Sequence, residues 1–357
     1  MINQLYRLME WNCQIESIGV KMPVKKLTTA ELLDKVKTPC LRKFGLLTGI
    51  SERKVCSSGE DSFSLAVDAA KDCLSFSKYR AEELDMIINC SITKYKDGLS
   101  HHYEPSFATL IRKILGARKA IAFDISNACA GMLTGVYLAD KFIKQGVIKN
   151  CMIMSGEYIS NICDHAVQNV KTSLSSELSS LTLGDCGAAA IIERTDDENR
   201  GLLVSGFTTL SKYSSLCTGR QNRNAPGGKM KTSAKKIHQA AIFESVPIVK
   251  DALNKSNLSF KEIDWLIPHQ TSRSSILSGA NHYLECFGEK PGQIVVNLKE
   301  TGNTASTTHF LALYRYLNEK RFRENENIML LCFASGLIIG AVIFRMNNMI
   351  YRYGNIN

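Results

Sequence analysis

Apolar residues in this chain fall into short strand-like runs and longer runs at helical spacing, and their alternation predicts a layered α/β fold. Residues 121–125 read as a short strand, followed by the small residues Ser126-Asn127-Ala128-Cys129-Ala130-Gly131. Leu133, Val136, Tyr137, Leu138, Phe142 and Ile143 then recur as one face of a helix. Residues 328–344, IMLLCFASGLIIGAVIF, carry no charge and approach the length of a membrane span. The Ser-Gly pair at their middle, with β-branched residues after it, suits two buried strands joined by a tight turn better.

Two stretches repeat each other. KDCLSFSKYRAEELDMII (71–88) aligns without a gap on KDALNKSNLSFKEIDWLI (250–267), and each reads as a helix end, a polar connection and a buried strand. GDCGAAAIIER (184–194) and SGLIIGAVIFR (335–345) match as glycine-punctuated strands closing each half. The chain therefore reads as two similar α/β units, 1–197 and 198–357, rather than a solenoid.

Composition narrows the class. With 357 residues, 45% hydrophobic and 22% charged, the chain has the make-up of a soluble globular protein large enough for two domains. The opening MINQLYRLMEWNCQIES carries polar and charged residues too early for a secretory leader. Twelve cysteines without a CxxC pair point to a reducing cytoplasm, with neither a disulfide framework nor a structural zinc site. No metal and no cofactor are expected. A net charge of +10 fits nucleic acid, a membrane surface or an acidic protein partner. Arg220, Arg223, Lys229, Lys231, Lys235 and Lys236 cluster without interleaved aromatics, which disfavours nucleic acid.

Candidate chemistry starts at Cys129. A cysteine at a strand-to-helix elbow lies near the positive end of the helix dipole, which favours the thiolate; a small buried filler is the bland alternative. In duplicated folds the active site commonly sits where the halves meet. In the second half, the repeat strand ends in Pro268-His269-Gln270-Thr271, and Gly302-Asn303-Thr304 occupies the place of the Cys129 elbow. His101, His102, His165, His238, His282 and His309 lie in polar runs or helix patterns and read as surface or structural. Cysteine, histidine and asparagine together equip a site for acyl transfer through a thioester. Cys129 would hold the acyl group, while His269 and Asn303 would donate to the enolate oxygen of a second substrate. The backbone N–H groups of Cys129 and Ser335 would form the oxyanion hole. Hydrolysis with the same residues stays open.

AFDISNACAG, LGDCGAAA, DWLIPHQ, GNTAS and CFASGLIIG occur in order between about Ser51 and Phe344. They resemble the ketoacyl synthase III branch of the thiolase superfamily. The resemblance implies a duplicated αβαβα fold, a homodimer and a triad on Cys129, His269 and Asn303. It also implies substrates on acyl carrier protein, an acidic partner for the basic cluster and for Arg273. Priming members carry a Trp and two Arg residues for coenzyme A where this chain has Lys43, Leu47 and Asn161, so coenzyme A thioesters are the less expected substrates. The loop His102-Tyr103-Glu104-Pro105-Ser106 places a glutamate before the proline, as in members that join two acyl chains without a malonyl carboxylate. On that resemblance Glu104 takes an α-proton in the neighbour's site, with Glu157 a lesser candidate. The expected function is condensation of two acyl or β-ketoacyl thioesters, followed by cyclisation to a resorcinol, cyclohexanedione or pyrone. Alternatives are a decarboxylative 3-oxoacyl synthase III and an acyltransferase to a hydroxyl or amine.

Overall fold

The structure, a computed structural model, describes residues 11–36, 41, 43–197 and 200–354. The opening read for a leader and the boundary at 197/198 lie partly outside them. In chain order the first half runs β1 (Asn12–Lys21), β2 (Lys26–Thr28), α1 (Thr29–Asp34), α2 (Phe44–Thr48), β3 (Glu52–Lys54), α3 (Ser62–Ser75) and β4 (Met86–Asn89). It continues with α4 (Phe107–Leu115), β5 (Ile121–Asp124), α5 (Gly131–Lys144), β6 (Asn150–Glu157), α6 (Asn161–Asn169) and β7 (Cys186–Thr195). The second half comprises β8 (Gly201–Thr209), β9 (Cys217–Gln221), β10 (Gly228–Thr232), α7 (Ala234–Ser256) and β11 (Trp265–Pro268). After these come α8 (Arg273–Phe287), β12 (Gln293–Ile294), α9 (Thr308–Asn318), β13 (Asn327–Ala334) and β14 (Ile338–Arg345).

The duplication read from the repeats is visible in the sheets. One has the order β1-β7-β6-β4-β5, the other β8-β14-β13-β11-β12, with parallel and antiparallel neighbours in the same places. Residues 328–344 fall within the antiparallel pair β13 and β14, where Cys332 faces Gly340. No described helix is long and apolar enough to cross a membrane.

Helices α5 and α9 fill the layer between the sheets. Leu133, Val136 and Ile143 from α5 and Phe310 and Leu313 from α9 share one core with Ile153 and Leu330 of the two sheets. Apolar residues of α3 and α4 cover the outer face of the first sheet, and those of α7 the outer face of the second. The result is the expected αβαβα layering.

Seating α3 needs a channel without side chains. A Cβ on Gly156 of β6 would stand 1.9 Å from the Ser62 carbonyl, and one on Gly187 of β7 would stand 2.2 Å from the Leu65 carbonyl. Gly156→Ala should therefore cost about 3 kcal/mol of stability in urea unfolding, since a tightly packed backbone must move. Gly206→Ala, which meets nothing within 4 Å, should stay within about 0.5 kcal/mol of the parent.

Candidate active site

Strand β5 leads into a 3₁₀ turn, Ala128–Ala130, from which α5 starts directly. The second half repeats this with a 3₁₀ turn at Ala305–Thr307 leading into α9. Both turns open on an alanine in the left-handed region, Ala128 at φ 46° and Ala305 at φ 55°. That match puts Ser306, rather than Asn303, at the position equivalent to Cys129. The expected Gly302-Asn303-Thr304 thus lies just before the elbow, Asn303 standing three residues ahead of Ser306. The turns pack against each other.

A buried carboxylate joins them. Glu157, at the end of β6, accepts from Ser306 Oγ at 2.5 Å and Ser155 Oγ at 2.9 Å. It also accepts from the N–H groups of Ile92 and Thr93, at 2.8 and 3.2 Å, and from Thr93 Oγ1 at 3.0 Å. Burial raises its pKa and these donors oppose the rise. With five donors on two oxygens, Glu157 is an anchor between the halves and is poorly placed to act as a base.

Cys129 and His269 hang on the same end of β13. The Cys129 carbonyl accepts the Cys332 thiol at 3.5 Å, and the His269 N–H donates to Leu331 O at 2.9 Å. Buried Gln270 locks the following loop by donating to Pro268 O and Val295 O, at 2.7 and 3.0 Å, and accepting from Asn297 N at 2.7 Å. Asn303 is fixed by its backbone, which exchanges bonds with Thr182 O at 2.9 Å and Gly184 N at 3.0 Å. Its Oδ1 accepts from Ala305 N at 3.0 Å, so the side-chain NH2 is the end left to donate. Cys129 also joins an apolar cluster with Ile92, Ile159, Ile162, Cys163 and Met230, a wall suited to an acyl chain.

The thiolate expected from the elbow is not favoured in this structure. Burial pushes the Cys129 thiol up, and the charges of Cys217 and Glu157 push the same way; only the cysteine's own N–H opposes them. Cys129 keeps partial solvent access as a residue, yet the desolvation of its sulfur outweighs the helix start. Burial lowers His269 to about 3, with His309 adding to the effect. The resting site thus holds a thiol and a neutral imidazole, with the anchored Glu157 carboxylate nearby.

His309, read from sequence as surface or structural, is 0% exposed with its ring centre 5.9 Å from that of His269. Its polar side chain at the head of the apolar run FLALY was the available signal.

The remaining predicted residues lie apart. Glu104 is exposed and makes no hydrogen bond or ion pair with another described residue. Its loop is held by His102 Nε2 to Pro105 O at 2.7 Å and by Asp124, which accepts from Ala108 N at 2.9 Å. Ser335 is half-buried in the turn between β13 and β14, the strands that touch the Cys129 turn. Arg220, Arg223, Lys229 and Lys231 ride on the β9–β10 hairpin, and Lys235 and Lys236 start α7. Arg273 stands elsewhere, at the start of α8 against Gly49. Lys43 and Leu47 are exposed, whereas Asn161 is buried and accepts from Gly228 N at 2.8 Å, pinning the hairpin to α6. No group of three or more candidate metal ligands occurs among the described residues.

Residues 123–210 match a family model described as 3-oxoacyl-[acyl-carrier-protein (ACP)] synthase III, and residues 253–346 match its C-terminal counterpart. The chain is 30% identical over 301 residues to the β-ketoacyl-[acyl-carrier-protein] synthase III of Baumannia cicadellinicola, covering 84% of this chain and 88% of that one. It is 28% identical to the Wolbachia pipientis protein of that name over 333 residues, 92% of this chain and 98% of the relative. The solved 3-oxoacyl-[acyl-carrier-protein] synthase III of Aquifex aeolicus superposes with a TM-score of 0.78 at 26% identity, covering 93% of this chain and 99% of that one. A variant of Xanthomonas campestris OleA gives a TM-score of 0.82 at 20% identity, with 94% and 99% covered, a likeness of fold.

A thiol pushed up by burial should alkylate slowly at neutral pH. Iodoacetamide labelling of Cys129, followed by peptide mass mapping, should accelerate about tenfold per pH unit between pH 7 and 9, tracking the thiolate fraction. A rate that levels off below pH 8 would contradict the buried-thiol assignment.

Proposed function

Because the chain belongs to the 3-oxoacyl-[acyl-carrier-protein] synthase III family of thioester-condensing acyltransferases, we propose that it acylates Cys129 from one thioester and joins that acyl group to a second, carboxylated one with loss of CO2. The supporting observation is the state of three side chains: the Asn303 amide is turned to donate, His269 is held neutral, and Glu157, the buried carboxylate between the two turns, is occupied by five donors. Cys129 sulfur attacks the first thioester carbonyl, and the departing thiol carries away the cysteine's proton. In the second thioester the bond to CO2 breaks, and its electron pair becomes the enolate. His269 and Asn303 donate to the enolate oxygen while the α-carbon attacks the Cys129-bound acyl group. The N–H groups of Cys129 and Ser335 hold the tetrahedral oxyanion, and collapse expels the cysteine sulfur, which regains a proton. Decarboxylation supplies the electron pair, so no base at the α-carbon is required.

Carrier-bound thioesters fit the basic hairpin, where Lys229 and Lys231 flank Met230 of the apolar cluster around Cys129, Arg220 pairs with Lys229 and Arg223 lies in the connecting loop. A cytoplasmic homodimer belongs to the same reading. β5 is an edge strand with Ile121 56% exposed, and Ile114 of neighbouring α4 is 50% exposed, an apolar border suited to a second copy.

One observation favours a second reading, the joining of two acyl chains without decarboxylation, with or without ring closure. Glu104 has no partner among the described residues, and its neighbour Tyr103 is 74% exposed, on a loop leading into α4 near that border. A carboxylate delivered from there into a second copy's dry acyl pocket would serve as the missing base.

Mass spectrometry of products from acyl-carrier thioesters, with and without a malonyl-type donor, separates the readings. A malonyl requirement with one CO2 released per product supports the first. His269→Ala and Asn303→Ala should each slow condensation by about 10²-fold or more, as loss of an oxyanion-type donor does, while Cys129 still acylates. Normal condensation in both variants would remove them from the mechanism.

Glu104→Gln discriminates further. Under decarboxylative condensation it should leave turnover unchanged. A loss of about 10²-fold with acylation preserved would transfer the assignment to the second reading.

A further inference from the structure

His309 has no part in the mechanism above, yet it shares a carbonyl with the histidine that does. Its Nε2 lies 3.2 Å from Leu331 O, the atom that accepts the His269 backbone N–H at 2.9 Å. A carbonyl oxygen only accepts, so the His309 proton sits on Nε2 and its Nδ1 presents a lone pair. That Nδ1 is enclosed and has no partner among the described residues, and the same holds for Nδ1 of His269. The His269 Nε2 is the ring nitrogen left open to the cleft. The two rings have centres 5.9 Å apart and planes inclined by 31°.

With the His269 Nε2–H donating to the enolate, its enclosed Nδ1 is an acceptor like that of His309, and each needs a donor, because an unsatisfied buried polar atom costs about 1–3 kcal/mol. A water molecule carries two hydrogens, and buried waters commonly bridge such atoms. We propose that His309 is a positioning residue: with a water bridging the two Nδ1 atoms, it holds His269 as the neutral tautomer whose proton is on Nε2, aimed at the second thioester's enolate. A leucine or valine at 309 would offer neither the bond to Leu331 O nor a lone pair to hold the water.

This inference rests on the reading that His269 donates to the enolate, so its test includes a readout independent of turnover. Full-length protein labelled with ¹⁵N-histidine should show, in two-bond ¹H–¹⁵N spectra, His269 and His309 as Nε2–H tautomers. His309→Gln can still donate to Leu331 O but supplies no Nδ1 lone pair. In this variant His269 should become a mixture of tautomers and condensation should fall about tenfold, a typical effect of losing a partner that orients a functional histidine, while Cys129 acylation persists. His309→Asn, whose Oδ1 replaces the Nδ1 lone pair, should restore the single tautomer and most of the rate. An unchanged His269 spectrum in His309→Gln, or equal loss of acylation and condensation, overturns the proposal. If His269→Ala condenses normally, the enolate role fails instead, and the tautomer spectra still decide what His309 does.

Discussion

The buried carboxylate of Glu157 is the constraint on which the site depends. A charge removed from water must be surrounded by donors, and here they come from both halves: the 92–93 segment and Ser155 on one side, Ser306 on the other. Ser306 is the second half's counterpart of Cys129, so this one anchor brings the two elbows together. Asn303 lies three residues before it in the same segment and is carried to its place with it. Moving the second half relative to the first would strip the carboxylate of a donor worth about 1.5–3 kcal/mol.

The same arrangement sets the electrostatics. Glu157 is close enough to disfavour the Cys129 thiolate, and burial does the same for the thiolate and for a charged His269. Fixed neutral donors have little to reorganise when an oxyanion or enolate forms, and they are then most effective. This suits an enzyme that acts on a neutral thioester carbonyl, with a second substrate bringing its own electron pair.

Glu104 and the basic residues belong to the periphery, where function depends on other molecules. Glu104 makes no hydrogen bond or ion pair with another described residue, and the β9–β10 hairpin presents its cations beside the apolar cluster at Cys129. The chemistry at the centre is therefore shared between the two condensing readings, and what arrives at the edge distinguishes them.

Much was legible in the sequence because it depends on local rules. Strand alternation, helical spacing and the two repeats come from short-range patterning, and they correctly indicated the layered duplicate, the elbow at Cys129 and the strand ending at His269. Other features required the packed molecule. That Ser306, and not Asn303, stands opposite Cys129 depends on which residue takes the left-handed conformation. Asn161, read through its place in a coenzyme A site, is a buried bracket for the β10 hairpin. His309 sits in an ordinary helix pattern, and only the closure of α9 between the sheets buries it against His269. The Cys129 thiol was misjudged for the same reason: a helix start can be read from sequence, but desolvation depends on neighbours far apart in the chain.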